Sequence, residues 1–188
     1  MILLIPVFIS AGCNKDEEQP LLDNSYQGSI TYEYRRDLPD INALSTLQVT
    51  LDRDGNLSSG GHDAASFDEE GIKYEGTTPV LKLHMTGTIR LESAYGNYAV
   101  VNGEEKVLVF LHSIIEGTLE VYGWDDEIGF FLVTTQDFTY EDEYSDGSFE
   151  FSLGDSQITG SAITITLPDI EGTSTYGYTL RMTPELNP

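Results

Sequence analysis

One short segment carries oxygen-bearing side chains at the spacing of a cation-binding loop. Asp52, Asp54 and Asn56 alternate along the chain, with Gly55 between the last two. Ca²⁺ takes oxygen ligands at alternate positions of such a loop, but a full site needs roughly six to eight oxygens. The twelfth position holds Asp63 where a glutamate is usual. We favour the alternative of a plain hairpin turn, because Asp-Gly is a preferred turn pair.

Nucleophilic catalysis and zinc binding find little support. The Gly-Asp-Ser segment at 154–156 resembles the nucleophile block of one esterase family, whose serine opens a helix and needs a histidine as base. Here the segment lies between two predicted strands. The three histidines, His62, His84 and His112, lie upstream of it and lack the close spacing of a metal site. We therefore predict no catalytic residue, no metal and no cofactor, and interpret the protein as a non-enzyme.

Aromatic side chains beside carboxylates indicate a different kind of site. Trp124 is the only tryptophan and lies in Gly-Trp-Asp-Asp at a predicted strand end, while Tyr95 and Tyr98 flank Gly96 and Asn97. An exposed ring stacks on a sugar face while nearby carboxylates accept hydrogen bonds from the sugar hydroxyls. A tryptophan at a strand end also covers the end of many β-domains. Trp124, Tyr95 and Tyr98 are our candidate ligand-binding residues.

The charge of the chain excludes some partners. It has 9 Lys and Arg against 32 Asp and Glu, a net charge of −23. Binding to nucleic-acid phosphates or to anionic lipid headgroups needs clustered cations, so neither is expected. The acidic clusters at 68–70, 125–127 and 141–146 lie in or beside predicted turns. We interpret them as solvated surface that discourages strands from pairing edge to edge.

The elements that position these residues are predicted to be strands. Apolar side chains alternate with polar ones at 30–34, 47–51 and 81–91, and Asn-Gly at 102–103 and Asp-Gly at 146–147 are hairpin signals. About a dozen short strands predict an all-β fold, an antiparallel meander closed as a lipocalin-like barrel or folded as a two-sheet sandwich. The lipocalin likeness is one of architecture, which does not imply function.

The predicted centre and boundaries of the domain follow from longer stretches. Residues 107–111 and 130–133 are apolar on both faces, which is typical of buried strands, and they are expected to be neighbours at the centre. Residues 62–70 are predicted to be a loop. No linker or shift of composition divides residues 28–188, so they are predicted to form one domain.

The N-terminus resembles a bacterial lipoprotein signal. An apolar run from Ile2 to Ile9 precedes Ser10-Ala11-Gly12-Cys13, and it is far shorter than the roughly 20 residues of a membrane-spanning helix. The four-residue segment resembles a lipobox, where cleavage before the cysteine frees it for lipidation. The resemblance implies a cleaved signal peptide at 1–12 and a lipid on Cys13. The alternative is an N-terminal strand with a buried Cys13, the only cysteine of the chain.

The residues after the cysteine indicate a location. Lys15-Asp16-Glu17-Glu18 is similar to the export signal of surface lipoproteins in the Bacteroidetes group. The similarity implies an outer-membrane protein, anchored by lipid and facing the cell exterior; a plain solvated linker is the alternative. Residues 13–27 are then an acidic tether, whose 14 residues after the cysteine span on the order of 20 Å as a flexible coil.

Two function classes remain open. The first is a non-catalytic binding or accessory module for a glycan, peptide or small apolar ligand. The second is a structural or interaction subunit that docks on an outer-membrane protein complex. A binding module is expected to have a concave pocket lined by aromatic rings, and a subunit a flat apolar patch or an unpaired edge strand. From the sequence we place the binding module first.

Overall fold

The structure is a computed structural model that describes residues 22–61, 63–143, 149–152, 158–161, 165–169 and 172–185. No helix in these ranges is long and apolar enough to cross a membrane. Their strands are β1 (Tyr26–Asp37), β2 (Asp40–Leu51), β3 (Asn56–Ser59), β4 (Asp63–Glu75), β5 (Thr78–Val101), β6 (Glu104–Asp125), β7 (Gly129–Glu143), β8 (Phe149–Ser152), β9 (Ile158–Ser161), β10 (Ile165–Asp169) and β11 (Gly172–Pro184).

All of these strands belong to one antiparallel sheet. The hydrogen-bonded order is β10–β11–β1–β2–β3–β5–β6–β7, with β4 on β5, β8 on β6 and β9 on β11. Within the described ranges no ladder joins β10 to β7, so the sheet is open. The prediction of an all-β antiparallel fold is confirmed, and the open sheet agrees with the meander folded on itself rather than with the closed version.

β5 and β6 are the longest strands, with 24 and 22 residues. They pair with each other from Leu81 opposite Gly123 to Val101 opposite Glu104. On its other side, β5 pairs first with β4 and then, further along, with β3. In the same way, β6 pairs first with β8 and then with β7. A register shift after Leu91 lies near the change of neighbour on β5, and such bulges bend a strand and increase its twist.

Four strands therefore form a distinct part of the sheet. We call β4, the first half of β5, the second half of β6 and β7 together the β4–β7 sheet. One part of the core lies between one face of the β4–β7 sheet and the strands β11, β1 and β2. Across this core the ring of Tyr34 lies 5.8 Å from that of Phe67, and the hydroxyls of Tyr178 and Ser113 are 2.6 Å apart. The largest fully buried side chains are Tyr32, Ile30, Ile41, Leu47, Leu51, Leu83, Ile89, Leu91, Leu111 and Ile115.

The folded domain begins before the predicted boundary at residue 28. β1 starts at Tyr26, and the buried Leu22 donates its backbone N–H to the carbonyl of Arg53 at 2.9 Å. Residues 22–27 therefore belong to the fold rather than to a flexible tether. The predicted signal peptide and Cys13 lie outside the described residues.

The predicted loop at 62–70 is wrong, because Asp63–Glu75 is the strand β4. Sequence alternation is weak there because most of its side chains are exposed on both faces and Phe67 is the buried one. The strand pairs with β5 alone among the described strands. A strand with so few buried side chains needs few apolar residues. Its charged residues therefore led to the prediction of a loop.

The prediction that residues 130–133 lie at the centre is also wrong. They belong to β7, the last strand of the sheet order, and Phe131, Leu132 and Val133 are 43%, 52% and 59% exposed. The other apolar segment, 107–111, does lie in the core, with Val107, Val109 and Leu111 buried. The two segments lie at opposite ends of β6, since β7 pairs there with Tyr122–Trp124.

Candidate functional site

The predicted calcium segment is the turn between β2 and β3. The carboxylate of Asp52 accepts a hydrogen bond from the backbone N–H of Asn56 at 2.8 Å and from its side-chain amide at 3.3 Å. Gly55 adopts a φ of 80° at the turn, which glycine does without strain, while Asp54 is exposed. Asp52 thus holds the turn together. Among the described residues no group of three or more His, Cys, Asp or Glu could hold a metal ion.

Tyr95 and Tyr98 lie on opposite faces of β5 rather than in a shared loop. Tyr98 is 8% exposed and belongs to the core, so little of its ring is open to a ligand. Burial, together with a hydrogen bond to Glu105, raises the pKa of the Tyr98 hydroxyl. Tyr95 is exposed, and its ring stacks on Phe110 at 5.1 Å between ring centres.

Trp124 lies near the end of β6, as the sequence indicated. Its ring meets Phe130 of β7 edge-on, with ring centres 4.9 Å apart, and its Nε1 donates a hydrogen bond to Asp126 at 3.1 Å. Tyr95 pairs with Phe110, which is 14 residues from Trp124 along β6, roughly 45 Å at the rise of a strand. The three predicted ligand-binding residues do not form one site.

A lysine joins the aromatic residues near Trp124. The Nζ of Lys82 lies 4.3 Å from the ring centre of Tyr122 and 5.7 Å from that of Phe130. The same ammonium lies 3.1 Å from the carboxylate of Glu70. A cation over an aromatic face is attracted by the ring quadrupole, so Lys82 links β4, β5, β6 and β7 at this end of the sheet.

His84 connects three strands of the same sheet. Its Nε2 lies 2.7 Å from Asp68 of β4 and its Nδ1 lies 3.0 Å from Glu120 of β6. The hydrogen bonds to Asp68 and then to Glu120 raise the pKa of His84, and those from His84 and then Tyr122 lower the pKa of Glu120. With a carboxylate at each ring nitrogen, the imidazolium form donates on both sides. His84 therefore has a structural role, joining β4, β5 and β6.

Arg90 and His112 continue this pattern of contacts with carboxylates towards β7. Arg90 lies 2.7 Å from Glu92 and 2.6 Å from Glu116, and the hydrogen bonds to those carboxylates raise the pKa of its guanidinium. The Nε2 of His112 lies 2.7 Å from Glu141 of β7. These pairs all lie on the face of the β4–β7 sheet opposite the core, which we call the ionic face. The same parity of Lys82, His84 and Arg90 was visible in the sequence, but their partners depend on register.

The least covered part of the described structure is β7. All residues at 131–137 and 139–141 are exposed. One side of β7 pairs with β6 from Gly129 to Glu143, and within the described ranges no strand pairs with the other side. Such an edge presents a row of N–H and C=O groups to incoming strands. Sequence reasoning missed it because the apolar content of 130–133 suggested burial.

The two faces of β7 differ in chemistry. Phe131, Val133 and Tyr140 lie on the core side. The side chains of Phe131 and Val133 lie beside Gly123, close to where a Cβ of this residue would be. Asp137 and Glu141 lie on the ionic face, where Asp137 accepts a hydrogen bond from the Thr118 hydroxyl at 2.9 Å and Glu141 pairs with His112. The exposed Leu132 lies opposite Tyr122 on the ionic face, so this face of β7 is apolar near its start and acidic at Asp137 and Glu141. The candidate site is therefore an open strand edge whose core-side face carries exposed aromatic rings and whose ionic face carries two carboxylates.

A cavity of about 470 Å³ lies elsewhere, at the turn between β1 and β2. Arginine, aspartate and threonine side chains line it, together with Ile41 and Asn42. Arg36 in its wall is buried and donates to the carbonyl of Leu38 at 2.7 Å, while Asp37 accepts the backbone N–H of Thr173 at 2.7 Å. This polar lining differs from the aromatic pocket expected of a binding module.

Comparisons of the chain with protein-family models, with curated proteins and with solved structures gave no match.

Proposed function

We propose that the protein is a non-catalytic interaction subunit, held at the bacterial outer surface by a lipid on Cys13, that docks on another protein through β7. The observation that supports this proposal is the strand edge itself. It combines exposed apolar side chains with backbone groups that no described strand pairs. An exposed apolar edge is a liability in a protein that works alone, so a partner that covers β7 accounts for its persistence.

The position of β7 agrees with an anchor at the N-terminus. Leu22 contacts Arg53 beside the β2–β3 turn, and the carbonyl of Gly55 in this turn accepts the N–H of Tyr98 at 2.7 Å. The aromatic end of the β4–β7 sheet begins at Leu81, 17 residues earlier in β5, roughly 55 Å along the strand. The start of β7 therefore lies at the opposite end of β5 from Leu22, where the chain that leads from Cys13 enters the fold.

A ligand-binding module is the second candidate function, and the aromatic end of the sheet favours it. Tyr122, Trp124 and Phe130 form a ring cluster beside the carboxylates of Glu70 and Asp126, a combination suited to sugar binding. Trp124→Ala is expected to fold and to lose glycan binding, while Tyr95→Ala, which removes an exposed ring elsewhere, is expected to retain it. Equal glycan binding by wild type and both variants would contradict this second function.

The docking function is tested in cells with a photo-reactive amino acid at one position at a time. Position 133 lies on β7 and position 100 on β5 near the other end, and the two valines are similarly exposed, 59% and 55%. We expect a discrete cross-link to a membrane protein from position 133 and none from position 100. Cross-links from neither position, or equally from both, would contradict docking through β7.

The anchor is tested separately. Cys13→Ser is expected to release the protein from membranes, because one cysteine carries all the acyl chains and stable attachment needs two or more. Quantitative membrane fractionation of the wild type and the variant measures this. Full membrane association of the variant would contradict lipid anchoring while leaving the role of β7 open to the cross-linking experiment.

A further inference from the structure

We infer that the partner presents to β7 an extended segment with alternating basic and apolar side chains, which joins the sheet as an additional strand. This inference rests on the proposed docking function and specifies its partner. Strand addition uses backbone hydrogen bonds for affinity and alternate side chains for specificity. Successive side chains of a strand point to opposite faces. Half of the side chains of an added strand would therefore lie on the core-side face of β7, and the other half on the ionic face.

The backbone supports the strand geometry. β7 is 15 residues long and pairs with β6 from Gly129 to Glu143, with one irregularity at which Val133 of β7 has no opposite residue, between Val121 and Tyr122 of β6. From Thr134 to Glu143 the register is unbroken, and a strand paired on one side directs its remaining N–H and C=O groups outward in a regular row. Along this part of β7 an extended peptide finds a template of fixed spacing rather than a loop that must first be ordered.

The ionic face of β7 is complementary in charge to basic side chains. Asp137 and Glu141 are exposed on this face, and the nearest arginine, Arg90, already pairs with Glu92 and Glu116. The sequence contains no lysine or arginine between Lys106 and Arg181. Charges directly opposite each other on neighbouring strands stabilise pairing when their signs differ. Basic side chains of an added strand would thus meet carboxylates.

The core-side face of β7 favours contact with apolar side chains. Phe131, Val133 and Tyr140 are exposed there, and the ring centre of Tyr140 lies 6.0 Å from that of the half-buried Phe138. These residues continue the apolar face of β6, where Leu119 and Ile115 are buried. An added strand with apolar side chains on this face would extend the same layer and remove the exposed rings from water, which is favourable in proportion to the apolar area buried.

A second copy of the chain is a poorer occupant of this edge. Two copies of β7 would bring Asp137 and Glu141 of one chain close to carboxylates of the other, and each chain carries a net charge of −23. Like charges opposite each other on paired strands are destabilising. The acidic face therefore selects against self-pairing and in favour of a cationic partner.

The test uses the full chain and an end-capped peptide of eight residues that alternates lysine and valine. Two control peptides keep its composition: one carries four lysines followed by four valines, and one is N-methylated at every second amide. Trp124 is the only tryptophan and contacts Phe130 of β7, so its fluorescence reports binding. We expect the alternating peptide to bind at least about tenfold more tightly than either control, a difference of about 1.4 kcal/mol.

Matched variants locate the binding. Asp137→Lys is expected to weaken binding of the alternating peptide by about tenfold through charge repulsion, whereas Glu104→Lys, the same change at a side chain 74% exposed at the other end of β6, leaves it unchanged. Val133→Asn is expected to weaken binding and Val100→Asn to have no effect. Circular dichroism of each variant confirms that it is folded.

Several results would overturn the inference. Equal binding of the alternating and block peptides, or equal losses for Asp137→Lys and Glu104→Lys, would mean general charge attraction without strand addition. Absence of binding by the alternating peptide at low salt would exclude the proposed chemistry. A dimer detected by sedimentation without peptide, and abolished by Val133→Asn, would assign the edge to a second copy.

The outcome is separable from that of the proposed function. A cross-link in cells from position 133 together with no peptide binding would leave the docking function standing and refute this partner chemistry. Peptide binding at β7 without any cross-link in cells would refute docking as the cellular role and leave the chemical preference of the edge established.

Discussion

β1 and β7 are antiparallel strands of similar length, 12 and 15 residues, with opposite surroundings. β1 lies between β2 and β11, and its alternate apolar side chains are buried. β7 pairs with β6 alone among the described strands, and its residues at 131–137 and 139–141 are exposed. Both strands are rich in aromatic residues. Position in the sheet, not the residue content of the strand, therefore decides which side chains reach the core.

The aromatic residues of β1 are covered because β11 supplies matching rings. Tyr32 stacks on Tyr178 with ring centres 4.7 Å apart, and Tyr34 stacks on Tyr176 at 5.2 Å. Among the described residues, the aromatic rings of β7 stack on rings of β6 and β7, such as Phe130 on Trp124, and Lys82 of β5 lies over Phe130. The rings of β1 therefore stabilise the fold, while the exposed rings of β7, those of Phe131 and Tyr140, are available to a partner.

The largest expected effect tests this contrast with one substitution on each side. Leu83→Ala empties a fully buried position in β5, and such changes cost about 2–5 kcal/mol. Leu132→Ala removes an exposed side chain of β7 and is expected to cost about 0.5 kcal/mol or less. Urea-induced unfolding measures both free energies. Equal losses would mean that β7 is covered in solution and would remove the contrast.

A smaller effect is expected where β7 packs on the core strands. A Cβ on Gly117 of β6 would lie 2.1 Å from the carbonyl oxygen of Thr86 and 2.9 Å from the ring of Phe138. Gly117→Ala is therefore expected to lower the free energy of unfolding by about 1–3 kcal/mol. Gly61→Ala is the control, because nothing lies within 4 Å of its added Cβ. Similar free energies of unfolding for both variants would show that β5 and β6 can move apart at Gly117 at little cost in stability.

The smallest effect concerns pH and the ionic face. His84 has a pKa raised above its ordinary 6.5 by Asp68 and Glu120, so its protonated form stabilises the folded state. This contribution is fully present below about pH 6.5 and is lost as pH rises through the raised pKa. Urea unfolding at a series of pH values is expected to show this loss in the wild type.

The control for the pH experiment is His84→Gln, which keeps a hydrogen-bonding side chain but has no proton to lose in this range. Its stability is expected to vary less with pH over the same interval. We expect the change to be smaller than for Gly117→Ala, because the imidazole is 24% exposed and water screens the pairs. An identical pH profile for the variant would contradict the role of His84.

Much of the strand pattern was readable from sequence because alternation and turn chemistry act locally. Asn102 and Gly103 both have positive φ, 54° and 84°, at the tight turn between β5 and β6, as the Asn-Gly pair predicted. The alternating run at 81–91 is part of one strand, β5, whose register irregularity lies after Leu91. The predicted hairpin at 146–147 and the segment at 154–156 lie outside the described residues.

The candidate site was less predictable because it depends on neighbours that are distant in sequence. Trp124 was correctly placed at a strand end, but nothing local shows that Phe130 opposite it belongs to the last strand of the sheet. His84 meets residues 16 and 36 positions away, which only the register of β4 and β6 determines. Tyr98 was misplaced because its neighbours Gly96 and Asn97 resemble a loop although they continue β5.

The side-by-side course of β5 and β6 has a mechanical consequence. A chain held at its N-terminus and pulled along the strand axis at β7 carries the load through the β6–β7 and β5–β6 ladders, which run nearly the full length of these strands. Force in this direction loads the hydrogen bonds of a ladder in shear, so they share the tension instead of opening one after another. The same contacts would peel apart under a pull across the strands, so the resistance of the molecule depends on the direction from which a partner pulls.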